Sequence, residues 1–83
     1  MKAVATTFAA RLRLARERRD MSQSDLARRA GLDPSAVSHY EADQRRPGAD
    51  NIRDICRALD VTADYLLGLT DETRRLAQET SHG

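Results

Sequence analysis

The side chains best suited to chemistry in this sequence are hydrogen-bonding and cationic groups that lie between residues 22 and 46. Ser35, Ser38 and His39 recur at helical spacing after Asp33-Pro34, a pair that is typical of a helix start. Hydroxyl groups donate or accept hydrogen bonds, and an imidazole can donate to guanine N7 or O6 or to a phosphate. A methyl group such as that of Ala36 can contact the methyl of thymine. Ser35, Ala36, Ser38 and His39 are therefore the candidate base-reading set for the case that this helix enters a groove of DNA, with a solvated surface histidine as the plainer alternative for His39.

Three further residues are suited to holding phosphates. Gln23 is predicted at the start of a helix, where free N–H groups and the helix dipole favour an anion. Arg45 and Arg46 are adjacent in a loop that the following Pro-Gly pair indicates. We predict that all three contact phosphates; a second helix cap for Gln23 and a solvated pair for the arginines are the alternatives. Other arginines of the first half are expected to add a general positive field: Arg11, Arg13, Arg18 and Arg19.

Catalytic and metal-binding arrangements are not recognisable in the sequence. Cys56 is expected on the apolar face of a helix as a small core residue. His39 and His82 do not combine with one cysteine at a spacing that suits zinc. There is no glycine-rich phosphate loop and no activated nucleophile, so we expect no enzyme activity, no metal and no cofactor. A single cysteine excludes an internal disulfide and agrees with a cytoplasmic location, and no apolar run approaches the roughly 18 residues that span a bilayer.

Helices must position these groups, because helix-forming residues dominate the composition and β-branched residues are few. Phe8, Leu12 and Ala15 form an inward stripe at helical spacing in the first helix. Threonine, serine and aspartate residues supply start signals, and glycine supplies stop signals. The sequence predicts a compact all-α domain with helices at about 7–19, 22–31, 33–42, 50–59 and 62–68, and leaves open a short sixth helix from Thr70 to about Glu79.

The segment Ser22–Ala42 carries the strongest pattern, two short helices joined by a tight turn. Ala27 is small where the two helices cross closely, and Gly31 supplies the left-handed backbone of the turn. Val37 packs the second of these helices on the first. Leu26, Ala30, Leu32 and Tyr40 fill the remaining inward positions.

On these residues, the chain resembles the Cro and lambda-repressor family of helix-turn-helix regulators over roughly residues 8–69. The resemblance implies five helices, with the third in the major groove of DNA, and a phosphate contact for Gln23. It also implies a largely buried ion pair between Arg16 and Glu41 that sets the angle of the third helix. Asp20 and Asp43 stand where the family usually has glycine, and aspartate tolerates the left-handed conformation better than most residues. Beyond the residues named above, the resemblance rests on Met21-Ser22-Gln23-Ser24-Asp25, Arg45-Arg46-Pro47 and Val61-Thr62-Ala63-Asp64-Tyr65-Leu66-Leu67-Gly68.

Charge is unevenly distributed: residues 1–48 carry ten Lys and Arg against six Asp and Glu, whereas residues 49–83 carry four against seven. We therefore expect residues 1–69 to be a DNA-binding domain with one basic face, and residues 70–83 to be a tail or short helix used in dimerisation. The predicted function is a sequence-specific regulator of transcription, most simply a repressor that binds a palindromic operator as a homodimer. Its dimer surface is predicted in the second half, at Tyr65, Leu66, Leu67, Leu69 and Leu76.

An antitoxin that binds a protein toxin through residues 70–83 and regulates its own operon is the alternative from another functional class. A module of a longer protein is a third possibility. The initial Met1 and the short tail favour a complete chain as the expectation.

Overall fold

The computed structural model describes residues 7–71, which form five α-helices and no strand. The helices are α1 (Phe8–Arg18), α2 (Gln23–Ala30), α3 (Ala36–Glu41), α4 (Ala49–Leu59) and α5 (Ala63–Leu66). The all-α, five-helix prediction is confirmed, and the optional sixth helix lies outside the described residues. The longest helices of this part of the chain have 11 residues, and none combines the length and apolar character that a bilayer crossing requires.

Short-range hydrogen bonds begin three of the helices. The Thr7 hydroxyl accepts from the Ala10 backbone N–H at 3.1 Å at the start of α1, and the Thr62 hydroxyl accepts from Tyr65 at 3.0 Å at the start of α5. At α2, the Asp25 N–H donates to the Ser22 hydroxyl at 2.9 Å, and the Ser22 N–H donates to the Asp25 carboxylate at 3.0 Å. Such caps satisfy donors that have no partner within the helix, so the start points follow from local sequence.

Left-handed backbone turns separate the helices. Gly31 ends α2 with a φ of 70°, as its place in the sequence predicts. Asp20 and Asp43 adopt φ values of 55° and 61° where the family usually has glycine. Asp60 ends α4 in the same conformation, with a φ of 56°, at a position where the sequence predicts no left-handed residue. The chain therefore uses aspartate where it needs a left-handed residue at three of its turns.

The core lies where the five helices meet. α2 packs against α3 and α4, α1 packs against α3 and α5, and α4 also contacts α5. Cys56 is half-buried against this core, in keeping with the predicted role as a small core residue. Burial raises the pKa of its thiol. The largest fully buried side chains are Leu12, Leu26, Val37, Ile55, Leu59 and Leu66.

Arg11 differs from its predicted role as a source of general positive field. Its side chain is buried, and its guanidinium donates to the Tyr65 carbonyl at 2.9 Å and to the Thr70 carbonyl at 2.6 Å. It also pairs with the Asp71 carboxylate at 2.6 Å and lies 4.7 Å from the centre of the Tyr65 ring. Arg11 therefore ties the end of α5 to α1 and does not face an external ligand.

The predicted dimer surface needs a second correction, because two of its residues belong to the core. Tyr65 is 5% exposed and Leu66 is 0% exposed, so neither has apolar surface left to cover. The four-residue helix α5 turns both side chains inward, towards α1 and α4. Leu67 and Leu69, just beyond it, are exposed, and Leu76 lies outside the described residues.

Candidate nucleic-acid interface

α3 is held by one face and presents the other to solvent. Val37 and Tyr40 are buried, and the Tyr40 hydroxyl accepts a hydrogen bond from the Asn51 amide of α4 at 3.1 Å. Of the predicted base-reading residues, Ser35 and Ser38 are exposed, whereas Ala36 and His39 are partly buried. Ser35 directly precedes α3 and the other three stand within it, although Ala36 also packs against the core.

Asp33 shapes the turn that leads into α3. Its carboxylate accepts from the Ser35 backbone N–H at 2.9 Å and from the Ser35 hydroxyl at 2.8 Å. These two bonds, together with the nearby charges of Arg45 and His39, hold the pKa of the Asp33 carboxyl below its usual value. Asp33 was predicted to cap α3 with Pro34 at its first position; it instead organises the turn before the helix, whose N-cap is Ser35 and whose first residue is Ala36. Because Ser35 donates its hydroxyl hydrogen to Asp33, its oxygen is left to accept from a ligand.

The His39 ring offers one nitrogen to a ligand. Its Nδ1 atom is buried and lacks a hydrogen-bond partner among residues 7–71. Because Nδ1 is buried, Nε2 is the ring nitrogen that remains for a ligand. An imidazole N–H at Nε2 can donate a hydrogen bond, which suits an acceptor such as guanine O6 or N7.

Glu41, at the end of α3, joins three helices through one carboxylate. Arg16 of α1 donates to it from Nε at 2.7 Å and from Nη2 at 3.0 Å. Gln23 of α2 donates from its amide nitrogen to Glu41 Oε1 at 3.0 Å. The Arg16 and Glu41 side chains are 12% and 5% exposed, and the hydrogen bond to Glu41 raises the pKa of Arg16. Arg16 also donates to the Met21 carbonyl at 2.6 Å, so this network fixes α3 relative to α1 and to the turn before α2.

An open groove lies beside this network, between α1, α2 and the outer face of α3. Arg13 reaches it from α1 with a side chain that is 66% exposed and that pairs with Glu17 at 3.1 Å. Sequence reasoning treated Arg13 as one of several general cations, because nothing local distinguishes it from Arg18 or Arg19. Only the fold separates it from those arginines, because it places Arg13 on the lining of the groove. The groove is lined by Arg13, Arg16, Gln23, Ser38, Glu41 and Ala42.

The loop after α3 carries the other predicted phosphate contacts. Arg45 and Arg46 are both exposed, and the charge of Arg45 contributes to the low pKa of Asp33 at the opposite end of α3. Arg45 is therefore close to the turn that holds Ser35. Within residues 7–71, His, Cys, Asp and Glu side chains form no group of three that could hold a metal ion.

This arrangement matches a known family. The helix-turn-helix family model matches residues 12–66, which include α2, the turn at Gly31 and α3. The chain belongs to this family, in its Cro and lambda-repressor branch. Its members are DNA-binding regulators of transcription and are not enzymes.

Individual relatives agree with this assignment. An uncharacterised helix-turn-helix transcriptional regulator of Bacillus subtilis, YobD, is 35% identical over 65 residues, which are 78% of this chain and 58% of that protein. The restriction-modification controller protein C.AhdI of Aeromonas hydrophila has a similar structure, with a TM-score of 0.69, 38% identity and coverage of 72% of this chain and 87% of that one. The P22 c2 repressor, in complex with a synthetic operator, has a TM-score of 0.71, 28% identity and coverage of 74% and 92%. This chain spans little more than half the length of its Bacillus relative.

Proposed function

We propose that this protein binds double-stranded DNA sequence-specifically and regulates transcription, most simply as a repressor that occupies its operator as a homodimer. The observation that carries the proposal is the geometry of α3. Its inner face is locked by Val37, Tyr40 and the Arg16–Glu41 pair, while its outer face presents hydroxyl and imidazole groups beside two arginines. A rigid helix with a polar outer face is what reading of the major groove requires.

The base-reading residues divide by hydrogen-bond chemistry. Ser35 has given its hydrogen to Asp33, so it accepts from adenine N6 or cytosine N4. His39 donates from Nε2 and favours guanine. Ser38 is exposed and retains both capacities. Ala36 packs partly against the core, so only the remaining part of its surface can contact a thymine methyl. Most of the discrimination therefore rests on Ser35 and His39.

The phosphate contacts place the helix without reading sequence. Gln23 stands at the start of α2, and Arg45 and Arg46 follow α3, so they flank the reading helix on two sides. Removing an arginine that contacts a phosphate weakens binding to every duplex. It also lowers the slope of log affinity against log salt by about one, because about one counterion fewer is released on binding. Removing a base contact weakens binding to the preferred sequence alone.

A second copy is proposed because one such domain offers few base contacts. Two domains on a palindrome would place their reading helices about 34 Å apart, one turn of DNA. Leu67 and Leu69, 51% and 73% exposed, are the large apolar side chains that the described surface leaves uncovered. We therefore assign them to the dimer contact, in place of Tyr65 and Leu66. The antitoxin alternative depends on residues 70–83, nearly all of which lie outside the described part of the chain.

Selection of bound duplexes from a random pool tests the main proposal. The expected result is a palindromic consensus whose half-sites are separated by one helical turn. His39→Ala should then weaken binding to the consensus and leave binding to mixed-sequence DNA and thermal stability unchanged. Arg45→Gln should weaken both kinds of binding alike, whereas Arg57→Gln, an exposed control on α4, should change neither. A pool that yields no enrichment would overturn sequence-specific binding.

Sedimentation equilibrium tests the dimer. The wild-type protein should associate, and Leu69→Asp should shift it to monomer because a carboxylate cannot be buried unpaired at an apolar contact. Ala49→Asp places the same charge at another exposed site and should leave association unchanged. A monomeric wild-type protein that remains monomeric on its selected duplex would contradict the homodimer, and capture of a different protein from the neighbouring gene would favour the antitoxin.

A further inference from the structure

We infer that the groove between α1 and α3 is a binding site for one DNA backbone phosphate, which is held by Arg13 together with Gln23. This inference rests on the proposed DNA binding and adds Arg13 to its machinery. Gln23 alone was expected to hold a phosphate here. The structure places the guanidinium-bearing side chain of Arg13 and the amide-bearing side chain of Gln23 on the lining of the same open groove, next to Ser38 of the reading helix.

The contact between Gln23 and Glu41 determines what Gln23 can offer. A carboxylate accepts hydrogen bonds and cannot donate them, so Gln23 must turn its amide nitrogen towards Glu41, as the 3.0 Å distance records. One amide hydrogen is spent on Glu41, and one remains for a ligand. Glu41 is thus a positioning residue for Gln23, and a single neutral donor is a weak holder of a phosphate without a cation beside it.

The residues that line the groove carry a net charge of +1, with Glu17 as a neighbouring anion outside the lining. Glu41 is matched by the Arg16 guanidinium at 2.7 Å, so the remaining charge among the lining residues is that of Arg13. The competing anion is Glu17, which holds Arg13 at 3.1 Å through a pair exposed to solvent, with side chains 66% and 51% exposed. Exposed pairs of this kind are weak, so Arg13 can release or share Glu17 and turn to a phosphate at little cost.

Arg28 is a matched control for Arg13. Its side chain is 68% exposed, against 66% for Arg13, and it too pairs with a carboxylate of its own helix, Asp25, at 3.0 Å. Arg28 does not line the groove. A variant of either arginine changes the net charge equally, so a general positive field predicts the same effect for both.

The test measures the affinity of the full chain for a fluorescent mixed-sequence duplex by anisotropy over a range of salt concentrations, with helical content checked by circular dichroism. Arg13→Gln should weaken binding roughly tenfold at low salt, as loss of a charge-assisted hydrogen bond does. It should also lower the slope of log affinity against log salt by about one. Arg13→Lys should keep the slope, and Arg28→Gln should leave both quantities near the wild-type values. The double variant Arg13→Gln/Gln23→Met should lose less binding free energy than the sum of the losses of the two single variants, because both residues hold the same phosphate.

The outcomes separate this inference from the function on which it rests. If the wild-type protein does not bind duplex DNA, the proposed function fails and the phosphate site fails with it. If the wild-type protein binds and Arg13→Gln and Arg28→Gln have equal slopes and affinities, the regulator stands and the site is wrong. Independent losses for Arg13 and Gln23 would likewise overturn the shared phosphate.

Discussion

Replacement of Arg16 by methionine should destabilise the protein far more than removal of an ordinary surface cation. The Glu41 side chain is 5% exposed, and without Arg16 its carboxylate would keep the hydrogen bond from the Gln23 amide. Breaking a buried pair by removing one partner costs about 3–5 kcal/mol. Because the Arg16 side chain retains 12% exposure and Gln23 remains in place, we expect a loss of about 3 kcal/mol, near the lower end of that range. Such a loss is a large share of the 5–15 kcal/mol that is typical of a domain.

The double variant Arg16→Met/Glu41→Met distinguishes a buried unpaired charge from a general loss of packing. Removing both partners leaves no isolated carboxylate, and the Met21 carbonyl is then the acceptor that loses its 2.6 Å partner, at a cost of about 1 kcal/mol. The free energy of unfolding of the double variant should therefore be about 1 kcal/mol lower than that of the wild type and about 2 kcal/mol higher than that of Arg16→Met.

Urea unfolding followed by circular dichroism measures these differences, and the dependence on urea should be the same for all three proteins. Arg13→Met, at an exposed position of the same helix, is the control and should change stability by less than about 0.5 kcal/mol. The reasoning is refuted if Arg16→Met costs less than about 1 kcal/mol, or if the double variant is no more stable than the single one.

Three further predictions concern single sites. The Ser22 backbone N–H, with help from Arg28 and the Ser22 hydroxyl, lowers the pKa of Asp25 from 3.8 to about 2. Ionised Asp25 therefore stabilises the fold at pH values above its unfolded pKa, and this contribution disappears as the pH falls through about 2. The difference in unfolding free energy between the wild type and Asp25→Asn should accordingly shrink from pH 4 to pH 2. Gly31→Ala should cost about 1 kcal/mol in urea unfolding, because φ is 70° while nothing lies within 4 Å of an added Cβ; a neutral result would show that the turn relaxes. Burial raises the pKa of Cys56, so iodoacetamide should modify the native thiol slowly at mildly alkaline pH and the urea-unfolded thiol quickly, and equal rates would contradict its burial.

Local signals explain why the helix boundaries could be predicted well from the sequence. The caps at Thr7, Ser22 and Thr62 and the left-handed turn at Gly31 each depend on residues within four positions of one another. Asp60 was missed because an aspartate at a helix end is a weaker signal for the left-handed conformation than a glycine. The start of α3 was displaced by two or three residues because Asp33 caps a turn that becomes a regular helix only at Ala36.

Tertiary packing decided the roles of residues whose local sequence looks alike. Arg11, Arg13 and Arg16 lie on one helix within six positions, and composition assigns all of them the same charge. In the fold, Arg11 is buried against the end of α5, Arg13 lines the groove beside α3, and Arg16 is paired with Glu41. The resemblance to the Cro and lambda-repressor family supplied the pair of Arg16 with Glu41, but no rule of spacing separates Arg11 from Arg13.

The sequence by itself determined an all-α chain, the helix-turn-helix between Ser22 and Ala42, and the set of polar residues on α3, because periodicity, caps and turns are short-range properties of the chain. Only the tertiary structure decided that Tyr65 and Leu66 belong to the core, that Gln23 is tied to Glu41, and that Arg13 stands beside them. These facts depend on the rotation of each helix about its axis and on contacts up to 60 positions apart in the chain. Such contacts form only when five short helices close around a shared core, and no segment of this sequence encodes them alone.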